Sequence, residues 1–231
     1  MRQVFVRSPQ QSASRNAIAV RMSDHKLKNR EVLLNTLDND DLNHVLMTDE
    51  ANFHLCGNVS SQNCCYWATE NPCDIHQKPL HSEKVIVWCA VASFGVIGPS
   101  FFEDKAGRAV TVNSACYAEL LRTFLEPELQ RLGVESQTPW FQRDGATAHA
   151  VRTAMRLLNE MLPARVISQR GNIEWPARSP NLNACDFFLW GYLKSKVYKK
   201  KLRTMVDLKQ NIRDEVAAVS PTMLQQVMQN L

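Results

Sequence analysis

The sequence lacks any long apolar run. Its longest, Val85 to Ala92, is far too short to cross a bilayer. The start, MRQVFVRS, has no apolar signal region, so a soluble intracellular protein is expected, with no membrane partner. Paired C-x-x-C spacing is missing too. Seven cysteines, an odd number, fit reduced thiols better than a disulfide framework. Cys56, Cys64, Cys65 and Cys73 cluster, but without that spacing a zinc site is disfavoured. Cys89, inside VIVWCAVA, reads as a buried small apolar residue. No internal repeat and no low-complexity tract is present. Charge of one sign does not dominate: net charge is +4, which is compatible with nucleic acid but does not identify it. A 45% hydrophobic share with 22% charge describes an ordinary globular chain with one sizeable core and an appendage.

What is present centres on Trp140 to His149, WFQRDGATAH. A short aromatic strand runs into Asp144-Gly145. Ala150, Val151, Ala154, Leu157, Leu158 and Met161 then repeat at helical spacing. An acid at a strand end, followed by a tight turn and a helix, lies where open α/β sheets place their sites. A bare Asp-Gly would serve equally as a helix cap. Two further stretches bear on the choice. In VLMTDEANF an apolar run ends on Asp49, with Glu50 beside it. In WPARSPNLNACDFFLW, Pro176, Pro180, Asn181 and Asn183 imply an extended loop, and Asp186 stands where a helical aromatic pattern begins. Three carboxylates brought together repel unless a cation neutralises them. All-oxygen ligands of this kind suit Mg²⁺ or Mn²⁺, and two such ions can clamp both oxygens of a phosphodiester displacement.

The stretches MTDEANF, WFQRDGATAH and WPARSPNLNACDFFLWGYLKSKVY resemble the three acidic blocks of Tc1/mariner-type DNA transposases, over roughly residues 38–231. That family belongs to the DDE/D superfamily. The resemblance implies an α/β, RNase H-like fold: a mixed sheet with helices on both faces. It implies metal-dependent DNA strand cleavage and strand transfer. Asp49, Asp144 and Asp186 would be the catalytic residues and the ligands of Mg²⁺ or Mn²⁺, with two ions expected and Glu50 a weaker candidate. DNA is the implied partner, as transposon ends and target. The long interval from Asp144 to Asp186 and the third Asp point to a long-spaced, all-Asp branch. Asn181 stands where the family usually has Asp. An insertion at residues 57–82 matches a segment that clamps family subunits together, so a homodimer is implied through it.

Residues 1–36 resemble the end of the family's second DNA-binding subdomain. Ser12 to Met22 and His25 to Leu34 suggest two short helices. Most of the usual bipartite reader is missing, so a remnant without sequence recognition is expected. The rival expectation is a nucleic-acid-binding or interaction protein derived from a mobile element that does not transpose.

Further along, KVIVWCAVASFGVIGPSFFE reads as two strands, both apolar enough to be central. Asn113 caps the next helix, and Pro127 kinks or divides it. Arg165 to Ser168 is a short edge-strand candidate. Gln142 and Arg143 alternate around the strand, so one of them is expected to face DNA. His149, five residues past Asp144, suits either a phosphate contact or a structural role at the helix start. Phe187, Phe188, Trp190 and Leu193 are expected to pack the last block against the sheet. Lys194, Lys196, Lys199, Lys200, Lys201 and Arg203 form a basic run around Tyr198, suited to phosphate contacts and to nuclear import. Thr204 and Ser220-Pro221 then start two amphipathic helices.

Overall fold

The structure, a computed structural model, describes residues 37, 44–57, 82–131, 139–144, 152–175 and 180–229. The expected helices within 1–36, the subunit clamp between Gly57 and Ser82, and His149 lie outside them.

Strand β1 (Val45–His54) is the axis of the sheet. On one side it pairs antiparallel with β2 (Lys84–Ala92), which pairs antiparallel with β3 (Gly95–Phe101). On the other side it pairs parallel with β4 (Trp140–Gln142). Two more parallel strands complete the sheet, β5 (Val166–Ser168) and β6 (Ile173–Glu174), in the order β3-β2-β1-β4-β5-β6.

Two expectations change here. β3 is an edge strand and not a central one. Ile97 is its one buried position, and Pro99 has no N–H to donate, which suits an edge. β5 is internal, because β6 covers it. Parallel neighbours normally need a long crossover. Here the link at 169–172 is drawn so tight that a Cβ on Gly171 would lie 2.3 Å from the Val166 carbonyl oxygen.

Both faces are covered, as the α/β reading anticipates. Strand alternation sends Leu46, Trp88, Phe141 and Val166 to one face. There they meet α1 (Ser114–Leu120), a π-helical turn (Leu121–Leu125), α2 (Glu126–Arg131) and α3 (Arg152–Met161). Asn113 caps α1 as expected, its side chain accepting from the Ala115 and Cys116 amides. The division attributed to Pro127 takes the form of the π turn just before it. Met47, Phe53, Cys89 and Ile167 point to the other face. A second π turn (Cys185–Leu189), α4 (Trp190–Val197), α5 (Met205–Ala217) and α6 (Pro221–Met228) pack there. Thr204 and Ser220 cap α5 and α6 through their hydroxyls.

Candidate active site

β1 carries Asp49 in mid-strand and not at its end, because β1 continues to His54 alongside β2. What ends near Asp49 is the parallel pairing with β4, whose last partners are Met47 and Gln142. Continuing that register by two residues would set Asp144 beside Asp49. Alternation along both strands turns Asp49 and Asp144 towards the face that bears the second π turn. Glu50 turns the other way, towards Tyr117 and Arg143, both of which feel its charge.

The third block is held on the sheet by a chain of buried hydrogen bonds. Asn183 is buried. Its Nδ2 donates to the Thr48 carbonyl at 3.1 Å, and its Oδ1 accepts from the Cys185 amide at 2.9 Å. Thr48 Oγ1 donates in turn to the Gln142 carbonyl at 3.0 Å. The Cys185 thiol donates to the Met47 carbonyl at 3.1 Å. One buried network thus joins the residue before Asp49, the residue two before Asp144 and the residue three before Asp186. None of these bonds follows from sequence pattern. A polar residue in a loop looks the same whether it faces water or a strand.

Asp49 and Asp186 lie close enough to act on one another, and Asp144 lies within electrostatic reach of Asp186. Burial first, then the Asp186 charge, lifts the Asp49 carboxyl to about 8. Burial and then the Asp144 charge lift Asp186 as well. Asp49 is restrained by two donors: the Trp190 indole Nε1–H, at 2.7 Å from Oδ2, and the Glu50 amide. Lys194 is half-buried on the same side. Its ammonium lies 5.7 Å from the Phe53 ring centroid, and it senses the Asp49 charge.

This donor set fits a hard divalent cation. The oxygens are carboxylate, and two of the groups are destabilised as anions by burial and by a neighbouring acid, Asp49 by Asp186 and Asp186 by Asp144, a cost that a cation removes. Among the described residues, no three acidic, histidine or cysteine side chains are drawn close enough to hold an ion in this conformation. Asp144 must therefore close on the Asp49–Asp186 pair for all three to share one.

The remaining expected site residues divide. Lys199, Lys200, Lys201 and Arg203 are exposed just past α4, next to Tyr198, whose hydroxyl donates to the His54 carbonyl at 2.9 Å. Lys196 lies over the Tyr192 ring at 5.3 Å. Arg143 does not face DNA: it is 2% exposed, and Gln142 is buried as well. Alternation puts Arg143 on the face of Phe141, beside Tyr117, where it acts as an internal counter-charge to Asp144 and Glu50. Phe187 does not pack against the sheet either. It stands exposed beside Asp186.

Two outcomes are expected. Replacing Asn183 with Ala would leave the Thr48 carbonyl and the Cys185 amide buried without partners, at about 1–3 kcal/mol each. Urea unfolding measures the loss, and a change below about 0.5 kcal/mol would show that the network does not hold the third block. The second outcome concerns pH. A raised carboxyl contributes stability that is fully present below its ordinary value of 3.8 and is lost as pH rises towards about 8. Metal-free protein should lose stability across that window, and Asp49→Asn should flatten the loss. Parallel unfolding-midpoint profiles for the two proteins would rule Asp49 out as the titrating group.

No family model matches this chain. In sequence it is similar to the transposable element Tc3 transposase of Caenorhabditis elegans, with 26% identity over 213 residues, 90% of this chain and 59% of the relative. In structure it is similar to the Mos1 transposase paired-end complex with left transposon end. The TM-score is 0.69 at 19% identity, covering 100% of this chain and 63% of that one. The Mos1 transposase catalytic domain with Raltegravir and Mn gives a TM-score of 0.65 at 18% identity, covering 99% of this chain and 92% of that one. The chain thus spans about three fifths of the length of the Tc3 transposase and of the Mos1 chain in the paired-end complex, and nearly all of the solved Mos1 catalytic domain. The sheet order and the helices on both faces are those of the RNase H-like fold. This chain is thus similar in sequence to the Tc3 transposase and in fold to the Mos1 transposase catalytic domain.

Proposed function

We propose that this chain is a DNA transposase catalytic domain, which cleaves a phosphodiester and transfers the freed strand end with a divalent metal. The observation that carries the reading is the meeting of Asp49 with Asp186, with Asp144 in reach of Asp186. The kinship with the Tc3 transposase, and the Mn present in one Mos1 catalytic-domain structure, support it.

Asp49, Asp144 and Asp186 would hold Mg²⁺ or Mn²⁺, as a pair of ions in this reading. The bound metal supplies charge neutralisation at the scissile phosphate and at the attacking oxygen. The chain's own residues do the rest. The buried network fixes two of the carboxylates against one another before substrate arrives, so little reorganisation is needed at the reaction. Lys194 brings a half-buried positive charge to the Asp49 side, suited to a phosphate of the cleaved strand. Lys196, Lys199, Lys200, Lys201 and Arg203 track the backbone further out, without reading sequence. The same basic run would direct the protein to the nucleus. No covalent enzyme intermediate is needed.

The test is nicking of supercoiled plasmid by purified protein in Mn²⁺. Wild type should convert plasmid to open circles. Asp49→Ala and Asp186→Ala should each lower the rate at least a hundredfold, as expected when a group that holds the catalytic charge is lost. An Asp49→Ala protein that nicks as fast as wild type would overturn the assignment of the triad.

A further inference from the structure

Trp190 follows the second π turn directly and opens α4. Its backbone N–H bonds to the Cys185 carbonyl, five residues back. The wider turn carries Asp186 and Trp190 together onto the side facing β1. The indole is buried and meets the Phe53 ring edge-on, at 6.3 Å and 72°. Its Nε1–H reaches Asp49 Oδ2 at 2.7 Å. A hydrogen bond this short to a carboxylate has charge-assisted strength.

Packing alone does not require this bond, since an aromatic ring without an N–H would meet Phe53 as well. Nor does this fold insist on an acceptor for every buried indole. Trp88 and Trp140 bury their Nε1 atoms with no hydrogen-bond partner. At Trp190 the N–H is aimed at an acid of the candidate site.

We propose that Trp190 is a positioning residue for metal binding. Its N–H holds Oδ2 of Asp49 and so fixes the plane in which that carboxylate meets the ion. Because Asp186 and Trp190 ride on the same turn, one element both supplies an acid and orients its partner. Outer contacts of this kind hold a ligand in its binding orientation before the ion arrives. The inference rests on the reading of Asp49 as a metal ligand.

The experiment is a double-mutant cycle on Mn²⁺ affinity, read at fixed pH by the electron paramagnetic resonance of free Mn²⁺. Its four proteins are wild type, Trp190→Phe, Asp49→Asn and the double variant. Trp190→Phe keeps a ring against Phe53 and removes the N–H. It should weaken Mn²⁺ binding about 10- to 100-fold, the usual effect of losing an outer-shell partner. In the Asn background the same change should have no further effect. Equal weakening in both backgrounds would make Trp190 a packing residue and overturn the proposal, as would wild-type affinity in Trp190→Phe. Wild type failing to bind Mn²⁺ would instead overturn the metal reading itself, and this inference with it. Should Trp190→Phe not fold, the assigned indole N–H resonance of wild type decides. It should shift as Mg²⁺ saturates the protein, and an unmoved resonance overturns the proposal.

Discussion

The hydrogen bond from Asn183 to the Thr48 carbonyl is the constraint on which the candidate site depends. It crosses 135 residues of sequence and ties an irregular, proline-bearing segment to the central strand. Among the described residues the third block forms no strand pairing, so this bond, with those from the Ala184 amide and the Cys185 thiol to Met47, ties it to β1. The same Asn183 side chain accepts from the Cys185 amide and so starts the π turn that presents Asp186. Thr48 passes the restraint on to Gln142 in β4. A satisfied buried network of this kind specifies one arrangement, because every alternative strands a polar group.

That arrangement works against electrostatics. Folding brings Asp49 and Asp186 close together; burial and the Asp186 charge raise Asp49, and burial and the Asp144 charge raise Asp186. A fold selected for stability alone would have little reason to keep this pair, since apolar residues of similar size would pack the same space at lower cost. Strongly perturbed acids gathered at one place mark functional sites more often than structural ones. Compensation is visible nearby. Trp190 donates to Asp49, Lys194 brings a positive charge to the same side, and Arg143 neutralises Asp144 and Glu50 from the opposite face.

Much of the fold was legible in the sequence, and the reason is local. Apolar runs and caps announced β1 to β5 and α1, α5 and α6, and the three acids stood out through their flanking blocks. What failed was whatever depends on neighbours. β3 carries apolar residues like β2, and Pro99 was the overlooked sign of an edge. β6 has two residues and follows a tight loop, so no periodicity could reveal it. Strand alternation already placed Arg143 on the face of Phe141, away from Asp144, but an arginine beside an acid invites a DNA reading. Asn183 and Trp190 were visible as residues yet silent as contacts, since their partners lie more than 130 positions away.

The central claim is that Asp49, Asp144 and Asp186 form one metal site. Anomalous diffraction from Mn²⁺-soaked crystals of this chain tests it most directly. The account predicts Mn²⁺ peaks touching the carboxylates of Asp49 and Asp186, with Asp144 drawn in to complete the site and two ions about 3.5–4 Å apart. Mn²⁺ bound elsewhere on the surface, with the Asp49–Asp186 pair unchanged at saturating metal, would contradict it.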